Sequence, residues 1–251
     1  MEQAVIKVEG LTKQYGKDVV VDHIDFQIEK GKIYGLVGPN GAGKSTVMKM
    51  LGGLTFPTDG EIYFYGEASQ QALNSGRARM SFMIEEPKLN PEWSGRDNLK
   101  REQILRGVTD DAYVDELLKL VDLDQVSSRK KVKSYSLGMK QRLGIVMALL
   151  SKPDVLILDE PVNGLDPRGV YEIRMLLQYI NKEFGTTIIL SSHILSELEY
   201  LCTDLIFLLQ GKVIKTVAMT DMEESLENFY LNHVDCREEK KMEVLSIFVE
   251  I

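Results

Sequence analysis

The stretch KIYGLVGPNGAGKST, residues 32–46, decides how this chain folds. Its first six residues form a short, mostly apolar run, which is typical of a β-strand that is buried on both faces. A loop with three glycines follows, and the next residues, TVMKMLGGL at 46–54, predict a helix. A buried strand that leads through a glycine-rich loop into a helix indicates an α/β fold.

The loop itself matches the pattern G-x-x-x-x-G-K-[ST] and lies between a strand and a helix, which is the context that this pattern requires. Glycines let the backbone curl so that successive N–H groups face a phosphate, and the helix adds the positive end of its dipole. Lys44 supplies a charge for the β- and γ-phosphates, and Ser45 a hydroxyl for Mg²⁺. The alternative is a glycine-rich turn without a ligand. The predicted nucleotide-binding residues are Gly38, Pro39, Asn40, Gly41, Ala42, Gly43, Lys44, Ser45 and Thr46.

Strands and helices alternate along the rest of the chain, which predicts a largely parallel sheet. The stretch DLIFLLQGKVIKTV, residues 204–217, predicts a hairpin that turns at Gln210 and Gly211. A mostly helical stretch at about 96–150 predicts a subdomain at the edge of the sheet. Further strands are predicted at residues 4–11, 21–31, 60–66, 79–87, 154–161 and 186–193, and helices at about 96–125, after Tyr135, at 167–185 and at 194–202.

Composition and charge exclude several classes of protein. Of the 251 residues, 44% are hydrophobic and 27% charged, which indicates a globular core, and a net charge of -8 argues against nucleic acid as a partner. Cys202 and Cys236 fit no metal-binding spacing and suggest a reducing compartment. We find no signal peptide and no apolar run near the ~18 residues of a membrane helix. The sequence therefore predicts a cytoplasmic protein that acts on membranes only through a partner.

An acidic pair ends the apolar run VLILDE, where α/β sheets bind their ligands. Asp159 is expected to hold Mg²⁺, directly or through water, and Glu160 to accept a proton from the attacking water or to orient it. The alternative is a helix cap with acids that face solvent. His193 follows the next strand and should reach the same sheet edge, where we expect it to contact the γ-phosphate; otherwise it is a structural histidine.

Together these motifs resemble the nucleotide-binding subunit of an ABC transporter, over about Val5–Thr220 and in the family's order. GPNGAGKST resembles Walker A, VLILDE resembles Walker B, and SSH with His193 resembles the switch histidine. NGLD at 163–166, with Asp166, resembles the D-loop, and Tyr15 lies where the family stacks an aromatic ring on adenine. The resemblance implies an ATPase that uses ATP and Mg²⁺.

The same resemblance implies a P-loop NTPase core with a mainly parallel sheet, an antiparallel β subdomain near the N-terminus and an inserted α-helical subdomain. It assigns residues 1–220 to one nucleotide-binding domain and leaves 221–251 as a C-terminal tail of unknown role.

The segment YSLGMKQR, from Tyr135, falls at the family's signature motif LSGGQ. In this family two domains face each other head to tail, so the loop would touch the ATP held by a partner. Ser136 and the Gly138 backbone would complete that site, although Ser136 should also cap its own helix. Leu137 and Met139 replace a glycine and a glutamine of the family pattern.

The strand RMSFMIEEP ends at the family's glutamine position, the Q-loop, where this chain has Glu85. A carboxylate there adds negative charge beside the phosphates, and Glu85 would either ligate Mg²⁺ or serve coupling. With IEEP, GRDNL and YSLGMKQR, the chain resembles the branch that serves bacitracin and lantibiotic export or self-immunity. The implied partners are a membrane permease and a second, identical or homologous nucleotide-binding subunit, with the chain peripheral on the inner face of the membrane.

Two other functions remain open from the sequence. A soluble ABC ATPase of ribosomes or DNA is disfavoured by the single phosphate loop, the absence of a long heptad run and the acidic charge. A module that senses ATP without hydrolysis is disfavoured by Glu160 and His193.

Overall fold

The computed structural model describes residues 4–84, 87–126 and 130–233. Glu85 and Cys236 therefore lie outside the described residues, and so does the chain beyond 233. In the described part, no helix is both long and apolar enough to span a membrane.

A three-stranded antiparallel sheet is formed by strands from the N-terminal quarter of the chain. Strand β1, Ala4–Tyr15, lies between β2, Asp18–Glu29, and β4, Asp59–Phe64, and pairs antiparallel with both. The alternation in β2 is as predicted, because Ile24 and Ile28 are buried while the residues between them alternate in exposure. Strands β1 and β2 extend further towards the turn that joins them than the sequence predicts, because β1 continues to Tyr15 and β2 begins at Asp18.

A second sheet carries the candidate site and has the strand order β5-β6-β7-β3-β8-β9. The first five of these strands run parallel, and β9 pairs antiparallel with β8 across the predicted turn. The largely parallel sheet and the hairpin are thus confirmed. The strands are β3, Ile33–Val37; β5, Met80–Met83; β6, Val155–Leu158; β7, Thr187–Ser191; β8, Asp204–Leu209; and β9, Lys212–Ala218.

Helices cover most of the remaining described residues. The predicted helix at about 96–125 is two helices, because Gly107 ends the first with a φ of 65° and Asp110 caps the second by accepting from Tyr113 N–H at 3.0 Å. The helices are α1, Lys44–Leu51; α2, Gln70–Ala78; α3, Gly95–Arg106; α4, Asp111–Leu120; α5, Leu137–Leu149; α6, Pro167–Phe184; α7, Leu195–Leu201; and α8, Leu226–His233, with 3₁₀ turns at Val132–Ser134 and Met219–Asp221.

The parallel sheet separates two hydrophobic cores. One joins α1 and the antiparallel sheet to one face of the parallel strands, with Met48 and Leu51 fully buried. The other joins α3–α8 to the opposite face. Helix α8 belongs to this core because Phe229 is buried and its ring centroid lies 4.5 Å from that of Phe207. The sequence had left α8 in the unassigned tail, but its packing makes it part of the folded unit.

Candidate active site

The glycine-rich loop after β3 has a backbone that only glycine fits well. Gly41 and Gly43 have φ values of 82° and 103°, which side chains disfavour. A Cβ at Gly38 would lie 2.2 Å from the Leu208 carbonyl oxygen, and one at Gly43 would lie 2.9 Å from that of Val20. The loop is therefore shaped by strands β8 and β2, against which its backbone lies closely.

Helix α1 begins directly after this loop and presents an open N-terminus. Gly43 is its N-cap and offers no side-chain acceptor, and α1 has no acid in its first turn. Ser45 is exposed at that end and Thr46 half-buried, so two hydroxyl groups lie beside the first turn. Free N–H groups and the helix dipole make such an end a favourable place for a phosphate.

Lys44 points back over the loop and is only 8% exposed. Its Nζ donates to the carbonyl oxygens of Gly38 at 2.6 Å and Pro39 at 3.1 Å. Burial lowers the pKa of this amine, and the negative charges of Glu160 and Asp159 oppose that shift. Because the folded surroundings disfavour the charged amine, an anion bound in front of it would be strongly favoured.

The acidic pair follows β6, and the strand next to it holds both members in place. Asp159 Oδ1 accepts from the Ser191 hydroxyl at 2.6 Å, and the Glu160 N–H donates to the same hydroxyl at 3.0 Å. Glu160 has a φ of 52°, a left-handed conformation that costs free energy and persists only where the surrounding structure holds it. The Ser191 hydroxyl supplies part of that restraint.

His193 reaches the acidic pair, as the sequence predicts. Its Nδ1 lies 2.6 Å from Glu160 Oε2, so the ring and the carboxylate share a hydrogen bond. The His193 side chain is 54% exposed and that of Glu160 is 26% exposed. A partly buried carboxylate beside an exposed imidazole can take up a proton from water and pass it on.

The glycine-rich loop, the N-terminus of α1 and the acidic pair of Asp159 and Glu160 line one concavity of about 260 Å³. The concavity thus combines two carboxylates with an amine and two hydroxyls, and the charges of Glu160 and Asp159 act on the Lys44 amine. Its lining is Val20, Asn40, Gly41, Ala42, Gly43, Lys44, Ser45, Thr46, Asp159 and Glu160. These residues fit a bound triphosphate, and the Asp159 carboxylate with the Ser45 hydroxyl fits the oxygen donors that Mg²⁺ prefers.

Tyr15 lies outside the lining of this concavity, at the end of β1, and is 49% exposed. Its hydroxyl lies 3.5 Å from Thr55 Oγ1, and Lys13 Nζ lies 4.8 Å from its ring centroid. One face of the ring thus carries a lysine. Because about half of the Tyr15 side chain is exposed, a planar aromatic group can still stack on its ring.

The signature loop packs on the D-loop of the same chain rather than on the concavity. Ser136 is exposed and caps α5 by accepting from the Met139 N–H at 3.2 Å, as expected for a single chain. A Cβ at Gly164 would lie 3.0 Å from Leu137 Cδ2, so these two loops touch. Asp166 caps α6 and accepts from the Gly169 N–H at 2.8 Å. A Cβ at Gly138 would lie 3.7 Å from Leu165 Cδ2.

Sequence reasoning did not assign a role to Val20 or Ser191. Val20 enters the lining because the β1–β2 hairpin folds back over the phosphate loop, which no local pattern indicates. Ser191 had a signal in the sequence, since it is a polar residue directly after the apolar run at residues 188–190, and the structure shows that it is fully buried. Glu85, the predicted Mg²⁺ or coupling residue, lies outside the described residues.

Comparison with known proteins gives a family match and close relatives. Residues 21–163 match the family model described as ABC transporter. The bacitracin transport ATP-binding protein BcrA of Enterococcus faecalis is 43% identical over 220 residues, which is 88% of this chain and 71% of BcrA. The lantibiotic transport ATP-binding protein SrtF of Streptococcus pyogenes is 43% identical over 231 residues, which is 92% of this chain and 97% of SrtF.

Solved structures agree with the fold. The structure of cbiO1 from Clostridium perfringens, part of the ABC transporter complex cbiONQ, superposes with a TM-score of 0.80 at 28% identity, covering 96% of this chain and 100% of that one. A dimeric post-hydrolysis structure of the ATP-binding cassette MJ0796 with ADP and Pi superposes with a TM-score of 0.74 at 25% identity, covering 85% and 98%. The α/β fold predicted from the sequence is therefore confirmed.

Proposed function

Since the chain belongs to the ABC transporter family, as an ATP-binding subunit that hydrolyses ATP, we propose that it powers a separate permease that exports a peptide antibiotic or protects the cell against one. Similarity to a bacitracin and a lantibiotic transport ATP-binding protein, each at 43% identity, supports this substrate class. The observation that carries the ATPase assignment is the single concavity that Lys44, the α1 N-terminus, Asp159 and Glu160 line together.

Triphosphate binding would use the loop and helix end described above. Backbone N–H groups of residues 38–46 and the Lys44 amine would hold the β- and γ-phosphates, and Tyr15 would stack on adenine. Ser45 and Asp159 would hold Mg²⁺, which neutralises charge on the phosphates when it is bound. The buried amine supports this arrangement because burial lowers its pKa, and a bound phosphate would offset that cost of its charge.

Hydrolysis would depend on the Glu160 carboxylate. In this proposal Glu160 orients a water molecule and accepts its proton, while His193 holds the carboxylate and contacts the γ-phosphate. Their hydrogen bond of 2.6 Å and the fixed backbone at Glu160 support these roles. Both features keep the carboxylate oriented before the reaction, which is what general-base catalysis requires.

A second nucleotide-binding subunit, identical or homologous, would complete each site. Ser136 of one subunit, with the backbone of residues 137–139, would reach the γ-phosphate held by Lys44 and Ser45 of the other. Exposure of Ser136 outside the concavity supports this arrangement, because its hydroxyl accepts the Met139 N–H in the helix cap and still has its own hydrogen to donate. The dimeric structures of a similar cassette give a precedent for pairing.

The permease would dock at a groove between the helical region and the parallel sheet. This groove of about 300 Å³ combines apolar side chains with Arg101, Glu102 and Arg106 of α3, and Ile84 and Pro87 flank the Q-loop position. A short amphipathic segment of a membrane protein fits such a mixed surface. Binding there would hold the chain at the inner face of the membrane.

We extend the proposal to the organisation of the chain. Residues 1–220 would form the nucleotide-binding domain, with α3–α5 in an inserted helical subdomain at about 96–150. The burial of Phe229 indicates that the folded unit continues into α8.

The test of the substrate class uses the chain together with its partner permease. The pair is purified in lipid vesicles, and phosphate release is measured with bacitracin, with a lantibiotic and with an unrelated amphipathic peptide. We expect stimulation by one of the peptide antibiotics, but not by the unrelated peptide or in the Glu160→Gln variant. Equal rates with all additions would contradict the substrate class, whereas no ATP hydrolysis at all would contradict the site.

A further inference from the structure

We propose that Ser191 is a positioning residue that holds the Mg²⁺ ligand and the general base in register through one hydroxyl group. This inference rests on the proposed function, which assigns those roles to Asp159 and Glu160. Ser191 lies at the end of β7 and is fully buried, although the rest of that strand is apolar apart from Thr187 at its start.

The register of two parallel strands brings Ser191 to the acidic pair. Leu158 of β6 pairs with Leu190 of β7. The residues that follow these two, Asp159 and Ser191, therefore lie side by side at the carboxyl edge of the sheet. That edge is where the concavity lies. Ser191 is therefore placed by the sheet itself, and its position does not depend on a mobile loop.

Both hydrogen-bonding functions of the hydroxyl serve the acidic pair. Its hydrogen is donated to Asp159 Oδ1 at 2.6 Å, which fixes the rotation of the carboxylate that would hold the metal ion. Its oxygen accepts the Glu160 N–H at 3.0 Å, which holds Glu160 in its left-handed conformation. A hydroxyl can donate its one hydrogen and accept another at the same time, so the single Ser191 side chain can bind both residues. Both hydrogen bonds form only when the Asp159 carboxylate and the Glu160 N–H keep a fixed relative position.

Groups that orient a metal ligand without touching the metal have a known effect on affinity. Loss of such a partner costs about 10–100-fold in metal affinity or activity. Removal of the Ser191 hydroxyl should therefore weaken the use of Mg²⁺ and slow turnover, while the binding of ATP without metal, which depends on Lys44 and the α1 N-terminus, should be preserved.

The test compares Ser191→Ala with a matched control, Thr187→Val. Thr187 is a fully buried hydroxyl at the other end of β7 and accepts the Gly31 N–H at 2.9 Å, far along the strand from the acidic pair. The dissociation constant of ATP is measured with Mg²⁺ and with a chelator, and the Mg²⁺ concentration for half-maximal hydrolysis is measured separately.

We expect Ser191→Ala to bind metal-free ATP within about two-fold of the wild type, and to need about ten-fold more Mg²⁺ for hydrolysis. The gain in ATP affinity that Mg²⁺ gives should fall by a similar factor. Thr187→Val should lose thermal stability without either change. Ser191→Thr, which keeps the hydroxyl, should restore Mg²⁺ use. Ser191→Cys, a weak donor of similar size, should show the same loss of Mg²⁺ use as Ser191→Ala, and it replaces the alanine variant if that variant does not fold.

A further variant, Asp159→Asn, separates the inference from the proposed function. If Asp159→Asn loses the Mg²⁺ effect while Ser191→Ala and Ser191→Cys keep it, the role of Ser191 is wrong and the metal site stands. If Asp159→Asn also keeps the full effect, the assignment of Asp159 to Mg²⁺ is wrong and the role of Ser191 fails with it.

Discussion

His193 Nδ1 lies 2.6 Å from Glu160 Oε2, at the carboxyl edge of the parallel sheet. The two residues come from loops after neighbouring strands, β7 and β6, so the contact is made by the fold and not by local sequence. An imidazole at this distance restricts the carboxylate to one orientation. The contribution of each residue to the rate of hydrolysis should therefore depend on the presence of the other.

Replacing His193 by alanine removes the partner of the Glu160 carboxylate. We expect turnover to fall on the order of 100-fold, because a misplaced catalytic group loses about that much. ATP affinity should fall much less than turnover, because Lys44 and the N-terminus of α1 still hold the phosphates. Single-turnover hydrolysis and equilibrium binding of ATP measure the two effects. A drop in affinity without a drop in rate would contradict this role.

Glu160→Gln keeps the size and shape of the side chain but removes the base. Hydrolysis should slow by about 100-fold or more, as is usual when a general base is lost. Because the γ-phosphate then persists, the variant should accumulate as an ATP-bound dimer. Size-exclusion chromatography with and without ATP, next to a phosphate-release assay, measures both outcomes. Normal turnover in this variant would remove Glu160 from its proposed role.

Lys44→Met removes an amine whose charge is disfavoured by its burial. Two charge-assisted hydrogen bonds to phosphate should disappear, and ATP affinity should fall by about 10–100-fold. Without nucleotide, however, the variant should be at least as stable as the wild type in thermal unfolding. ATP should raise its unfolding temperature far less than that of the wild type.

The lowered pKa of Lys44 also predicts a pH dependence. Between that lowered value and the ordinary 10.5, the unfolded chain binds more protons at this site than the folded chain. Stability of the nucleotide-free wild type should therefore rise with pH across that range, relative to Lys44→Met. Urea unfolding of both proteins over a pH series checks the sign, and a parallel pH response would contradict the burial of the charge.

Gly164→Ala tests the contact between the D-loop and the signature loop. Gly164 has a φ of 72°, and a Cβ there would lie 3.0 Å from Leu137 Cδ2. Gly185 is a matched control, because it has a φ of 65° and no atom within 4 Å of a new Cβ. Both variants should lose about 1–2 kcal/mol of stability to the left-handed backbone. Only Gly164→Ala should also weaken ATP-dependent dimerisation, which analytical ultracentrifugation would measure.

Glu85→Gln follows from the sequence alone, since Glu85 lies outside the described residues. The variant replaces a carboxylate by the amide that the family normally has at this position. We expect ATP binding to be retained and either the Mg²⁺ dependence of hydrolysis or its stimulation by the permease to change. Titration with Mg²⁺ and an assay with reconstituted permease distinguish the two roles. Unchanged behaviour in both would make the carboxylate incidental.

The sequence predicts the parallel sheet well because its strands are continuous apolar runs between glycines, acids and turns. β3 and β6 were predicted in this way, and the burial of every residue in both is the physical reason. Helix α2 was missed because Gly76 is its one buried residue, so it shows no apolar stripe. The break between α3 and α4 was missed because Gly107 lies inside a stretch of helix-forming residues.

The candidate site was predictable to the extent that its chemistry lies in contiguous motifs. Lys44, Ser45, Asp159 and Glu160 each belong to a short pattern, and the structure brings them to one concavity. The bridging role of Ser191 was not predictable, because it arises from the register between two strands distant in sequence. Contacts between two residues distant in sequence can be predicted only after the order and register of the strands are known.

The Leu208 carbonyl occupies the space where a side chain at residue 38 would begin, 2.2 Å from such a carbon. The bend that starts the phosphate loop is thus pressed against β8, which the ribosome makes long after the loop has emerged. A nascent or proteolysed chain that stops before β8 would contain the complete glycine-rich motif without the wall that gives the motif its shape. Fragments that carry only the motif should accordingly fail to retain nucleotide, and affinity for ATP should arise late in the folding of the chain.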